Sequence, residues 1–429
     1  MKSGVAVATA VAITPKTSES AARVGFPILQ TYTNDDSAQF RIVADTASPV
    51  AYIARDKAGA AKRVTVLSRE SNPFTTKRAI DHIVVDGLKP AETYILEVRD
   101  VRTNALIDSR EFSALDTKSK RLNFVVGSCT HDLFSGQKEI WQSVYDMKPD
   151  IIFLIGDSCY ADWSSDGSLP GHWERNFETR DTVDVYWWKR LTPLIATWDD
   201  HDYGKGNGDR TNPMREDVYT TFKAFFGSEQ RRGLKNGPGV SSMLMIRGHR
   251  FCLMDDRYFR DPLEVTNGLH WGEDQEKWLF DEIGASTEPV WLMNGSQFFG
   301  GYRKKESMES NHPFQFKRVL DRLAKAKAPV MFCSGDVHFT ELMTIEPPIL
   351  GYQSLEITSS AMHSTTFPGT PNRGDANPRR FGKGIWQNNF VFVESDASTP
   401  GTVNIRTRCV GKSKKIYFDH SFVIKNKSA

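Results

Sequence analysis

The spacing of hydrophobic and polar positions changes character near residue 120. From about 21 to 117 it is short and alternating, as in Gln39-Phe40-Arg41-Ile42-Val43-Ala44, Arg63-Val64-Thr65-Val66-Leu67 and Tyr94-Ile95-Leu96-Glu97-Val98, with turn residues between the segments. Alternation with a period of two turns one face of each strand into a core, so the spacing predicts an all-β sandwich over 1–117. From Arg121 onward the strands are mostly apolar runs: Leu122-Asn123-Phe124-Val125-Val126, Ile151-Ile152-Phe153-Leu154-Ile155, Leu194-Ile195-Ala196-Thr197, Val290-Trp291-Leu292-Met293 and Val330-Met331-Phe332-Cys333. Helical spacing lies between them, with Ile140, Val144 and Met147 on one face of a helix over 137–147 and further helices over 216–226, 272–283 and 314–327. Strand, helix and strand at this spacing form βαβ units whose parallel strands end on one sheet edge. A hairpin is predicted over 242–254, and antiparallel closing strands over 389–394, 402–408 and 416–424. The domains expected are therefore 1–117, all-β, and 118–429, α/β.

Within the first domain, Gly87-Leu88-Lys89-Pro90-Ala91-Glu92-Thr93-Tyr94 resembles the tyrosine corner of fibronectin III and Ig-like sandwiches, where a buried Tyr hydroxyl bonds back to the chain a few residues upstream. No His, Cys or acidic cluster occurs there. The domain reads as a scaffold or lid wall, with a carbohydrate- or surface-binding role as the alternative.

Chemistry concentrates where the later strands end. The strand tips carry Cys129, Asp157 with Tyr160, Asp199-Asp200-His201, Asn294 with Gln297, and Asp336 with His338, each beside a turn or a small residue. One Gly-Asp is usually a turn and one His at a strand end is usually a hydrogen-bonded loop residue. Five such tips in matching positions predict a polynuclear metal site, because carboxylates crowded at one edge repel unless a cation lies among them. A two-metal hydrolytic site needs a bridging carboxylate, for which Asp157 is suited, and it polarises a phosphoryl group and activates a water. Cys129 and Tyr160 as anionic donors favour a ferric ion, whereas Asp200, Asp336 and Asn207 suit a hard ion such as calcium. Zinc, which accepts thiolate, and manganese are the alternatives. Arg257 suits bidentate recognition of phosphate, or else a salt bridge to Asp255 or Asp256. His201 reads as a general acid or a ligand, and Asp199 as a ligand or an orienting partner. Two segments are candidate lids: the insert 163–188, with His172, Trp173, Tyr186, Trp187 and Trp188, and the Gly-, Pro- and Asn-rich 361–388.

Composition narrows the classes further. A formal net charge of +2 without a basic run gives no expectation of a nucleic-acid partner, and no apolar stretch is long enough to span a bilayer. The five cysteines, Cys129, Cys159, Cys252, Cys333 and Cys409, are widely spaced and odd in number, which argues against a disulfide framework and for core thiols at all but Cys129. Lys2 and the Ala-rich 4–12 resemble the end of a signal peptide, or equally a first strand. Oligomeric state is not legible.

Taken in order, Gly-Ser-Cys, Gly-Asp-x-x-Tyr, Trp-Asp-Asp-His-Asp, Asp-x-Arg-x-x-Arg and Ser-Gly-Asp-Val-His resemble the PhoD-like alkaline phosphatases of the calcineurin-like metallophosphoesterase superfamily. The resemblance implies a four-layer αββα metallophosphatase sandwich behind the β-sandwich, and hydrolysis of phosphomonoesters and phosphodiesters with Fe³⁺ and Ca²⁺. It implies Cys129, Asp157 and Tyr160 on the iron, with Asp157 bridging. Asp200 stands where the superfamily has a metal-binding Asn, and His201 where it has the His that assists the leaving group. Asp336 and His338 replace two His, and Asn294 or Gln297 falls where many members carry a further metal-binding His. Export to the periplasm or exterior is implied too, usually behind a longer twin-arginine leader than 2–12 offers. The alternatives are a phosphodiesterase or phospholipase preferring diesters, and a surface-binding protein whose metals are structural.

Overall fold

The computed structural model describes residues 23–425 apart from 73, 75, 76, 117, 134–136, 164–166, 302–306 and 373–375. The leader-like segment 2–12 lies outside the described residues. Alternation in the first hundred positions produces seven strands: β1 (Ile28–Thr33), β2 (Ser37–Asp45), β3 (Val50–Asp56), β4 (Ala61–Ser71), β5 (Arg78–Asp86), β6 (Thr93–Asp100) and β7 (Leu106–Ser113). They pair antiparallel in the order β1-β2-β5-β4-β3-β6-β7. Phe40 and Ile42 of β2, Ile83 and Val85 of β5, Leu96 and Val98 of β6 and Phe112 of β7 share one apolar cluster, so the two ends of the sheet close over a common core. The tyrosine corner is present: the hydroxyl of buried Tyr94 accepts a hydrogen bond from the Lys89 N–H at 2.7 Å.

The outer face of this sheet is also covered. Leu29, Val43 and Ile80 pack in a cluster with Trp173, Phe177 and Phe225. Polar ties reinforce the contact, among them Gln39 Nε2 to Glu229 O at 2.8 Å and the Tyr32 hydroxyl to Arg232 O at 2.7 Å. At the same junction Arg110 and Asp108 form a fully buried pair at 2.7 Å, and Arg110 also donates to Trp188 O. Burial alone would raise the Asp108 carboxyl, but Arg110, the Phe26 N–H and Lys189 outweigh it and hold the group below its usual range. That contribution to stability is complete above the unfolded carboxylate pKa of about 4 and is lost as the pH falls through the lower folded value. Arg110→Met leaves a buried carboxylate without its main counter-charge and is expected to cost about 3–5 kcal/mol in urea unfolding at pH 7.

The remainder holds β8 (Arg121–Gly127), β9 (Ile151–Ile155), β10 (Leu194–Thr197), β11 (Leu234–Asn236), β12 (Ser242–Ile246), β13 (His249–Leu253), β14 (Val290–Met293), β15 (Val330–Ser334), β16 (Thr340–Ile345), β17 (Ser354–Ser359), β18 (Arg380–Ile385), β19 (Asn389–Asp396), β20 (Thr402–Gly411) and β21 (Ile416–Lys425). One sheet runs β10-β9-β8-β19-β20-β21, the other β11-β12-β13-β14-β15-β17-β16-β18. Phe124, Phe153 and Val391 of the first sheet and Phe251, Trp291 and Leu342 of the second belong to a single core, which sets the sheets face to face. Helices α1 (Gln137–Met147), α2 (Leu169–Thr182) and α3 (Arg215–Phe226) supply Trp141, Phe177 and Phe225 to a cluster with Val125, Ile152 and Leu154, the opposite face of the first sheet. The second sheet is covered by α4 (Gly272–Ile283), the one-turn α5 (Met308–Asn311) and α6 (Pro313–Leu323), through Leu279, Ile283, Met308, Phe316 and Val319. No helix among the described residues is long and apolar enough to cross a membrane.

Three expectations are corrected. The greater part of the insert expected over 163–188, residues 168–188, is not an overhanging loop: α2 begins at an N-cap, Ser168, whose hydroxyl accepts from the Gly171 N–H, with proline in the first turn. His172, Trp173, Tyr186 and Trp188 are buried there. The helix expected over 314–327 ends at Leu323. Strands β16 and β17 were not foreseen, because buried Glu341, Glu356 and several Ser and Thr interrupt their apolar pattern.

Candidate metal centre

Strands β8, β9 and β10 are parallel, so their C-terminal tips share one edge of the first sheet; β13, β14, β15 and β17 do the same in the second. The two sets of tips are stitched together, Ser128 Oγ donating to Ser359 O at 3.1 Å and the His363 N–H to Cys129 O at 3.3 Å. The chain turns sharply as it leaves them. Cys129, Asp157, Asp336 and His338 have φ of 59°, 53°, 71° and 58°, a left-handed backbone that non-glycine residues adopt at a cost. Gly156 is left-handed as well, and a Cβ there would lie 2.5 Å from Cβ of Asp199. Absence of a side chain at Gly156 is what lets the β9 and β10 tips approach.

Convergence of the tips produces three overlapping groups of donor atoms, each lying within 4.8 Å of one another: Cys129–Asp157–His338, Asp157–Asp200–His201 and Asp199–Asp200–Asp336. Asp157 and Asp200 each belong to two groups. The Tyr160 hydroxyl lies 3.5 Å from His338 Nε2, and its ring stacks on His201 with centroids 4.2 Å apart. Eight residues singled out in the sequence therefore meet. Asn207, which is exposed, reaches the cluster through its backbone N–H, donating to Asp200 Oδ2 at 2.6 Å.

The β14 tip is different. Asn294 accepts from Trp271 Nε1 at 2.9 Å and donates to Ser296 O, while Gln297 Nε2 donates to Glu341 and Thr358. Arg257 is fully buried and its ion-pair partner is Asp199, to which Nε donates at 2.5 Å; Asp256 is farther, at 3.8 Å. The salt bridge anticipated for Arg257 is thus made chiefly to a different carboxylate, across the sheets.

Crowding gives the cluster its chemistry. Burial, then Cys129, Asp200 and Asp199, push the Asp157 carboxyl well above its usual range, and burial pushes the Cys129 thiol up to about 12. Oδ2 of Asp199 and Oδ1 of Asp200 are buried without a hydrogen-bond partner. Such groups favour a proton or a cation, and a cation serves several at once. The donor set fits metal ions in a second respect: His338 Nδ1 donates to Thr365 O at 2.8 Å, which fixes the tautomer with the Nε2 lone pair on the side of the Tyr160 hydroxyl.

Supporting residues escaped the sequence reading. Asp202 accepts from the backbone N–H groups of Ser158, Cys159 and Asp199, pinning the β9 and β10 loops together. Asp162 accepts from His201 Nδ1 at 2.8 Å. Ser360 Oγ lies 3.1 Å from Cys129 Sγ and accepts the His338 N–H at 2.8 Å. Asp202 stands inside Trp-Asp-Asp-His-Asp and Asp162 two residues past Gly-Asp-x-x-Tyr, where their carboxylates were visible; Ser360 and Thr365 carry no such signal.

Fold and site together define a layered, β-rich protein with a candidate polynuclear cation centre at converging strand tips. No family model matches the chain. In sequence it is 22% identical over 343 residues to alkaline phosphatase D of Bacillus subtilis (strain 168), a match covering 67% of this chain and 57% of that protein. The chain thus matches little more than half the length of that relative. A solved structure of PhoD superposes with a TM-score of 0.72 at 18% identity, covering 94% of this chain and 90% of the other. The structural likeness shows a shared fold, and the two likenesses together support a PhoD-like family member.

Proposed function

We propose that the protein is a metal-dependent phosphoesterase that hydrolyses phosphomonoesters, phosphodiesters or both. The observation that carries this reading is the run of three donor groups sharing Asp157 and Asp200, with buried carboxylate oxygens lacking partners. In this reading Cys129, Asp157, Tyr160 and His338 hold Fe³⁺, and Asp157, Asp200, Asp199 and Asp336 hold Ca²⁺, with Zn²⁺ or Mn²⁺ as alternatives. When bound, the ions supply Lewis-acid polarisation of the phosphoryl group and an activated water. His201 protonates the departing alkoxide through Nε2, its Nδ1–H being held by Asp162. Arg257 fixes the Asp199 carboxylate so that its second oxygen faces the site. The two sheets with their outer helices are read as the αββα metallophosphatase sandwich, catalytic over 118–429, and 1–117 as its fibronectin III/Ig-like companion. Export to the periplasm or exterior rests on family resemblance.

Elemental analysis of the purified protein combined with a screen of phosphate esters tests the reading: bound transition metal and calcium with turnover of at least one ester is expected, and absence of both would refute it. Asp162→Asn, which loosens the grip on the His201 tautomer, is expected to lower kcat roughly 10- to 100-fold without changing metal content. One observation favours diesters: Trp163 is 56% exposed and sits edge-on to His201, with ring centroids 6.0 Å apart, where a second ester group would find an apolar wall. Relative rates on a monoester and its methyl diester decide between the two.

A further inference from the structure

The Asp255–Arg260 turn after β13 holds a second arginine that the proposed chemistry leaves unused. Arg260 is only 3% exposed, yet its guanidinium makes no hydrogen bond or ion pair among the described residues, and Nη1 is buried with no acceptor. Burying a guanidinium donor with no acceptor is unfavourable, so native structures rarely leave one unpaired. Its described neighbours supply Nη1 with no hydrogen bond. Arg257, three residues earlier, already engages Asp199. His270 and His312 are kept neutral by burial and by Arg260 itself, and their nitrogens are taken: Nδ1 faces Nδ1 at 3.1 Å, and His312 Nε2 bonds Asp261 O at 3.0 Å. Asp256 turns Oδ2 to Ser296, whose N–H and hydroxyl both donate at 2.7 Å, and its Oδ1 is buried with no hydrogen bond, to Arg260 or to any other described group. The carboxylates that attract Arg260 electrostatically are Asp256, Asp199 and Asp336, and two of these form the third donor group with Asp200. Arg260 thus brings a charged group with a buried, unpaired Nη1 to the turn whose Arg257 reaches Asp199 and lies near Asp256.

We propose that Arg260 is a phosphoryl-binding residue: its guanidinium pairs with non-bridging oxygens of the substrate phosphoryl group, and of the inorganic phosphate product, next to the Asp199–Asp200–Asp336 group. A planar fork with several donors matches two oxygens of one phosphoryl group, and the buried setting strengthens the pairing. The assignment rests on the phosphoesterase reading for the identity of its anion. It divides labour between two arginines: Arg257 orients a carboxylate, and Arg260 meets the ester.

Titration calorimetry with inorganic phosphate on the purified metal-bearing protein and on Arg260→Met tests it, with metal content and melting temperature measured alongside. Phosphate binding is expected to weaken about 10- to 100-fold in Arg260→Met, the loss of a charge-assisted hydrogen bond, while metal content stays unchanged and the phosphate-free protein melts no lower than wild type. Arg260→Lys, which keeps the charge without the fork, should fall between the two. Phosphate affinity within twofold of wild type in Arg260→Met overturns the proposal, as does a variant that binds phosphate normally yet melts lower, the mark of a structural arginine. If Arg260→Met does not fold, Arg260→Lys carries the test by the same criterion. A wild type that binds phosphate through Arg260 but hydrolyses no ester would refute the phosphoesterase reading alone.

Discussion

Asp157→Asn is expected to lower kcat/KM for phosphate esters by roughly 10³-fold or more, because one residue serves two of the three donor groups and metal assistance contributes several kcal/mol to such reactions. The substitution is nearly isosteric. Asparagine also tolerates left-handed backbone better than most residues, so the turn at φ 53° survives. Folding is therefore expected to persist. Burial, Cys129 and the neighbouring aspartates hold the Asp157 carboxyl well above its usual range, so a neutral amide spares the metal-free protein the cost of protonating that group on folding. Metal-free Asp157→Asn should melt at or above the temperature of metal-free wild type, whereas the metal-loaded variant should gain less from its ions. Activity assays, elemental analysis and melting curves on both forms check the three statements together. Full activity in the variant would remove Asp157 from the chemistry. A wild type that binds metal but turns over no ester would favour a surface-binding protein with structural metals.

His201→Ala carries the second large effect, a fall in kcat of roughly 10² to 10⁴ on esters of alkyl alcohols. Nδ1 bonds Asp162 at 2.8 Å and the ring stacks on Tyr160, which in the proposed reading leaves Nε2 for the leaving group. An acid matters most when the departing alkoxide is basic, so the loss on a nitrophenyl ester should be far smaller. The same measurement separates the two roles open to His201. If it is a ligand instead, both esters suffer equally and metal content drops.

Much of this molecule was legible before any coordinates. Apolar runs located β8, β9, β10, β14 and β15 nearly to the residue, since strands buried on both faces need unbroken hydrophobic sequence. A helix start was missed at Ser168 because α2 is buried on several sides, which blurs a one-sided period. The polar central strands β16 and β17 were missed for a related reason: Glu356 accepts from the Phe298 and Phe299 N–H groups and from Ser334, a set of partners drawn from elements distant in sequence.

At the site, residue chemistry marked Cys129, Asp157, Tyr160, Asp199, Asp200, His201, Asp336 and His338, and all eight meet. For the first six that follows from the sequence itself, because the parallel strands β8, β9 and β10 must present their tips on one edge, whereas Asp336 and His338 come from the facing sheet. Only the tertiary structure decided that Asn294 and Gln297 hydrogen-bond to Trp271, Ser296, Glu341 and Thr358, that Arg257 belongs to Asp199, and that Arg260 is buried with Nη1 unpaired. Those outcomes depend on which side chains two facing sheets bring within about 3 Å of each other, the range over which hydrogen bonds form. A sequence gives the order of tips along each edge but not the distances across the gap between the sheets.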